Sequence, residues 1–231
     1  PVKWQRARKG MQGGDELTPD ETREAVKLWL YARDEAVTFA NHLLDLGLHK
    51  TVPNRLLEPF AWQTMIISGT DAAWANFFVQ RCSPQADPPM EVLARRIEAA
   101  YDASKPRILA VGQWHLPFIR DEDRAQCPAG TFASLRALAH ICAARCARVS
   151  YNNHKGVRSL NDDFRLYDDT LMGADPPHWS PLEHPAMVVP PSLPPTLGKF
   201  DGDWAQLRHL PHMHQAAPRS TEITATRTPR E

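Results

Sequence analysis

NRLLEPFAWQTMIISGTDAAWANFFVQRC, residues 54–82, is the stretch on which the reading of this chain turns. From Thr51 the chain turns through Pro53 into a short helical segment around Arg55. Residues 62–68 are rich in apolar and β-branched side chains, the composition of a buried strand. Gly69-Thr70-Asp71 then opens a helix that carries Asn76 and Arg81. A guanidinium offers a planar fork of donors that suits phosphate or a pyrimidine carbonyl, and an amide can satisfy a donor and an acceptor on a flat heterocycle. Asn76 and Arg81 are five residues apart, about 500° of helical rotation, so their directions differ by ~140° and they need not meet the same ligand atom. Packing accounts for the same residues differently: Arg81 could cap carbonyls or pair with Asp87, and Asn76 could be a solvated helix-face amide.

Two further segments lie downstream. One is Ala147-Arg148-Val149-Ser150-Tyr151, the other His178-Trp179-Ser180-Pro181-Leu182-Glu183-His184. Together with Arg55, Glu58-Pro59, Thr64 and Asn76-Phe77-Phe78-Val79-Gln80-Arg81, they give the chain a sequence that resembles flavin-dependent thymidylate synthases. The likeness is to the family's A-R-V-S-aromatic and H-x-[ST]-P-x-E-H segments and to its N-F-x-x-x-R helix. It covers about three quarters of the chain. In common members the A-R-V-S and S-P-x-E-H segments precede the Arg/Asn helix. Here they follow it, as in a permuted branch of the family carried by viruses of bacteria. In that branch the signature R-H-R-x-x-S-x-N-x-x-S-x-R lies upstream of a segment like residues 1–12. No stretch here matches it, and Gln206-Leu207-Arg208-His209 begins like it but continues Leu210-Pro211. The resemblance therefore implies a fragment lacking the N-terminal signature.

The family resemblance implies an α+β fold, with helices packed on a small, mainly antiparallel sheet of the thymidylate synthase-complementing-protein type. It implies reductive methylation of deoxyuridine monophosphate (dUMP) to the thymidine nucleotide (dTMP). Methylenetetrahydrofolate would be the carbon donor, FAD the hydride relay and NADPH the electron source. Arg81 would contact and polarise the pyrimidine, with Arg55 as a second nucleotide contact. Asn76, Ser150, His178, Ser180 and Glu183 would bind FAD. Members assemble as homotetramers, so a homotetramer in the cytoplasm of a bacterium or phage-infected host is expected. The chain departs from the pattern at Thr70 and Ala72, where many members carry Asn and Arg, which weakens the expected contact to the FAD phosphates. The scaffold is equally compatible with hydroxymethylation of a pyrimidine nucleotide.

Working outward, Thr18-Pro19-Asp20-Glu21 forms a capping box with Pro at the first helical position, and a long helix should follow. Val26, Leu30, Val37 and Leu44 make its apolar stripe, and Gly47 stops it. Met90 to Ala103 reads as an amphipathic helix after the break at residues 84–89. Residues 113–118 read as a Pro-bounded aromatic loop. A helix from about Thr131 to Arg148 turns Leu135, Leu138, Ile141 and Cys142 inward, and another spans about Leu160 to Met172. The expected organisation is a polar lead-in over residues 1–17, a single domain over 18–210 and a disordered tail over 211–231.

The chain has 231 residues, with Lys plus Arg and Asp plus Glu both at 27. No global basic field exists to recruit a nucleic-acid polymer. No apolar run approaches the ~20 residues of a membrane span, which predicts a soluble chain. The four cysteines form no C-x-x-C pair; Cys142 and Cys146, four apart, read as small buried hydrophobes or as two metal ligands on one helix face. His209, His212 and His214 raise a rival reading as a His-ligated metal-binding protein. A third reading is a noncatalytic nucleotide- or flavin-binding or structural derivative of the synthase fold.

Overall fold

The computed structural model describes residues 1–127, 132–149, 159–190 and 203–214. They form an α+β protein, mostly helical, with a small three-stranded antiparallel sheet. Within the span expected as one domain, packing separates two compact units, Pro1–Gln63 with Thr70–Pro106, and Thr64–Gly69 with Arg107–Glu231. Among the described residues no helix is long and apolar enough to cross a membrane.

In the first unit, α1 spans Pro19–Asp45, where the capping box predicts it. The Glu21 carboxylate accepts from the Thr18 backbone N–H at 2.9 Å while the Thr18 hydroxyl accepts from the Glu21 N–H. Gly47, at φ +81°, takes the left-handed conformation that ends the helix cheaply. The apolar stripe keeps its helical period but is not covered: Val26, Leu30, Val37 and Leu44 are exposed, and Ala40 is the buried residue of α1. Next come α2 (Thr51–Leu57), a 3₁₀ turn (Glu58–Phe60), α3 (Asp71–Arg81) and α4 (Pro88–Ala103). Thr70 caps α3 through the Ala73 N–H and Asp87 caps α4 through the Met90 N–H. Trp74 stacks on Phe78, which meets Tyr101 edge-on, so aromatic contacts join α3 to α4. Residues 1–17 are less detached than a polar lead-in implies. Lys3 reaches Glu91 at 2.8 Å, Trp4 lies edge-on to Trp29, and Gln5 bridges Glu16.

The strand expected over residues 62–68 is absent. These residues form no ladder, and Trp62, Met65 and Ile67 are exposed while Ile66 alone packs against the core. β-branched composition does not make a strand without a neighbour to pair with. The sheet lies elsewhere in the second unit, built from β1 (Trp114–His115), β2 (Ala186–Val188) and β3 (Trp204–Gln206) in that order. Trp114 pairs with Met187, and Ala186 with Gln206. The expected aromatic loop thus contributes an edge strand.

The rest of the second unit wraps α6 (Phe132–Ala147), which follows α5 (Asp121–Gln126). Every residue from Leu138 to Cys146 is buried. Alanine and cysteine at five of those positions let neighbours approach the helix on all sides. Leu135, expected inward, is exposed. Burial all round also encloses charge. Arg145 donates from Nη1 to Asp123 Oδ2 (2.5 Å), from Nε to Asp163 Oδ2 (2.9 Å), and to the Phe118 carbonyl (2.7 Å), and Arg148 also bonds Asp163. The Arg145 bond holds the Asp123 carboxyl below its ordinary range. Burial opposes the Arg145 charge, but its hydrogen bonds to both carboxylates outweigh it.

The single helix expected over residues 160–172 is α7 (Leu160–Arg165) running into a π-helical turn (Leu166–Leu171), in which the Met172 N–H reaches back to the Tyr167 carbonyl at 2.9 Å. The wider turn places Tyr167 in the core, its ring stacked 3.8 Å from that of His140. Pro211–Met213, expected within the disordered tail, is a 3₁₀ turn whose Met213 side chain is buried in the core; residues 215–231 lie outside the described residues. An apolar side chain in an otherwise polar tail was the signal that the packed chain continues to His214.

Candidate functional site

The second unit gathers one polar surface from two short stretches. The first is the 3₁₀ turn Ser180–Glu183. Pro181 suits its first turn, and Leu182, with no exposed area, plugs the core. Ser180 is left exposed and Glu183 half-buried. The second stretch runs from β3 to His214. Gln206, at the end of β3, donates from Nε2 to the Glu183 carbonyl at 2.8 Å. Arg208 donates from Nη1 to Glu183 Oε1 at 2.6 Å. Around this pair stand Trp179, whose ring lies 5.3 Å from that of His214, and His209, whose proton affinity is lowered by burial and by Arg208. His178 is exposed, and its backbone N–H is bonded to the Leu171 carbonyl.

A third contribution comes from Thr64–Gly69, the segment that follows the Arg55 region in sequence and precedes α3. Ser68 Oγ lies 3.0 Å from His184 Nδ1, and Ile66 packs against the core that holds Leu182. The two sequence motifs, residues 54–82 and 178–184, therefore share a direct hydrogen bond.

Of the residues singled out from sequence, His178, Ser180 and Glu183 lie in one turn and its flank. Asn76 and Arg81 stand exposed on α3, with Asn76 Oδ1 accepting from Gln80 Nε2 at 3.0 Å. Among the described residues Arg81 has no ion-pair partner; Asp87, the partner that sequence allowed, is spent on capping α4. Arg55, exposed on α2, lines an open hollow of about 480 Å³ with Thr51, Asn54, Glu58, Trp62 and Gln63. Asn76 and Arg81 are not in its lining. Ser150 lies outside the described residues.

The metal reading is not supported where it was placed. Among the described residues no group of three His, Cys, Asp or Glu side chains could hold a metal ion. His214 Nε2 is engaged by the Leu207 carbonyl at 2.7 Å. Cys142 is fully buried, its thiol donates to the Pro117 carbonyl at 3.0 Å, and burial pushes that thiol well above its usual range. It behaves as a small hydrophobe.

The polar surface presents a compact set of donors and acceptors. It has one exposed hydroxyl, one carboxylate held in place, one exposed imidazole and a half-exposed indole, all within residues 178–183. Sequence reasoning missed Ser68, Gln206 and Arg208. The signal for the last two was available, as polar side chains two residues apart at a strand end, which a core strand does not need. No protein-family model, curated protein or solved structure matches the chain.

Proposed function

We propose that the chain works as a flavin-dependent thymidylate synthase with the thymidylate synthase-complementing-protein type of fold, converting dUMP to dTMP with methylenetetrahydrofolate, FAD and NADPH. The observation that carries this reading is the Ser68–His184 hydrogen bond, which joins two motifs whose bonded residues are 116 positions apart. The bond sets residue 68 of the 54–82 stretch against the 178–184 turn, which is what the reading requires of two parts of one ligand site. FAD, when bound, supplies the hydride relay. By the resemblance, Ser180, Glu183, His178, Ser150 and Asn76 would bind the flavin, and Arg55 and Arg81 would bind the nucleotide. Arg81 is exposed on α3 and has no ion-pair partner among the described residues, so its guanidinium is available to stabilise charge developing on the pyrimidine. Assembly as a homotetramer and a cytoplasmic location belong to the same proposal.

One observation favours a second reading, a noncatalytic flavin- or nucleotide-binding derivative. The Thr70 hydroxyl, at a position where many synthases carry a longer polar residue, is spent capping α3. The test is the absorbance of the purified full-length protein across the flavin bands, before and after addition of dUMP. A bound flavin spectrum that shifts with the nucleotide is expected. A colourless protein that takes up no FAD sinks the synthase reading; bound flavin without turnover selects the derivative.

A further inference from the structure

Glu183 is held more firmly than a half-exposed glutamate on a short turn needs to be. Its carbonyl accepts from Gln206, one carboxylate oxygen accepts from Arg208, the next residue bonds Ser68, and the preceding Leu182 is locked in the core. Glu183 and Arg208 keep side-chain exposures of 24% and 22%, so their bond is partly shielded from water and salt. The hold is also costly. Gln206 Oε1 and Arg208 Nε are buried and have no hydrogen-bond partner among the described residues. An apolar strand end would fill the same space without leaving two polar atoms unsatisfied. What the polar pair achieves in return is a single position for the Glu183 carboxylate at the surface where Ser180 and His178 stand.

We infer that Arg208, together with Gln206, is a positioning residue that fixes the Glu183 carboxylate for ligand contact. The inference rests on the flavin reading for the identity of that ligand, and on the geometry alone for the positioning. It also gives the Gln-Leu-Arg-His run a role distinct from the signature it resembles at its start. Arg208 acts through Glu183, so its contribution to binding vanishes once Glu183 can no longer accept its charge.

The test is a double-mutant cycle in the full-length protein, read by FAD titration, with Glu183→Gln, Arg208→Gln, Arg208→Lys and the Glu183→Gln/Arg208→Gln pair. Backbone hydrogen exchange over residues 182–184 of the ligand-free protein is measured alongside. Each single Gln variant should weaken FAD binding about tenfold, the pair should be no weaker than Glu183→Gln alone, and Arg208→Lys should recover most of the loss. Arg208→Gln should also speed exchange at residues 182–184, with Arg208→Lys closer to wild type. Losses that multiply to about a hundredfold in the pair would make Arg208 an independent contact and overturn the inference. So would Arg208→Gln binding FAD normally while Glu183→Gln does not. If the wild-type protein takes up no FAD, the synthase reading fails, and the exchange data decide the positioning by themselves: unchanged exchange in Arg208→Gln overturns it.

Discussion

Helices α1 and α6 are opposites in how sequence becomes structure. The longer, 27 residues, has a capping box, a regular apolar stripe and a glycine stop, yet it buries only Ala40. The shorter, 16 residues, has almost no one-sided pattern and is buried from Leu138 through Cys146. The charges of α1 pair in water, as Arg23 does with Asp20 and Arg33 with Asp34. The Arg145 charge of α6 is enclosed and meets two carboxylates from α5 and α7. Local signals decide that a helix exists. What surrounds it decides how much a residue in it matters, and the buried network is what fixes α5 and α7 against α6.

The comparison makes its largest prediction at Asp163. Asp163→Ala takes from Arg145 one of its two buried carboxylates and from Arg148 the carboxylate it bonds, breaking the enclosed network, and should cost about 3–5 kcal/mol in urea unfolding. The matching change on α1, Asp20→Ala, removes an exposed pair and should cost under about 1 kcal/mol. Equal costs would break the contrast, because the enclosed network would then be no more than a set of surface pairs.

Acid should expose the same contrast. His140 is buried on Tyr167, with Nε2 bonded to the Met213 carbonyl, and burial lowers its pKa from 6.5 to about 4, with Arg136 and His214 adding to the effect. A folded pKa below the unfolded one means that the unfolded chain binds the proton more tightly. The stability is fully present above pH 6.5 and is lost as pH falls toward about 4, by ~3 kcal/mol. Asp123, lowered by its Arg145 bond, adds a further loss as pH falls through the carboxylate range. His140→Gln, which keeps a donor for the Met213 carbonyl, should flatten the upper part of this profile. Parallel pH profiles for the two proteins would assign the loss elsewhere.

What was legible in the sequence follows the same division. The bounds of α1, the opening of α3 at residues 69–71 and the helix expected from Met90 to Ala103, which begins two residues earlier at Pro88, were readable because they rest on contacts within a few residues. The false strand at residues 62–68 and the overlooked strands at residues 114–115, 186–188 and 204–206 fail for one reason. Pairing is settled by distant partners, and two- or three-residue strands carry no period of their own. The site divides likewise. The 178–184 turn stood out by its own residue types, whereas Ser68 became visible only once folding brought it there, and Gln206 and Arg208, legible as polar residues, are tied to the turn only by their bonds to Glu183.

A smaller effect tests whether α1 is held by its local signals. Thr18→Ala removes the hydroxyl that accepts from the Glu21 N–H, and should cost ~1 kcal/mol, the ordinary worth of an N-cap. A loss several times larger would mean that the start of α1 is anchored by more than its cap. Hydrogen exchange at residues 19–22 would locate the fraying directly.

The smallest expected effect on stability carries the most for function. Arg81 sits in the last turn of α3, exposed and without an ion-pair partner among the described residues, so Arg81→Gln should change unfolding by within about 0.5 kcal/mol. In the proposed reading the same change removes a permanent charge aimed at the nucleotide, and the dUMP-induced shift of the flavin spectrum should disappear while the flavin itself stays bound. The two measurements cannot be traded for each other, because no packing defect leaves the melt intact and takes away the response to a nucleotide. A variant that melts normally and still answers dUMP would remove Arg81 from the site; one that unfolds several kcal/mol earlier would return it to the packing role that sequence also allowed.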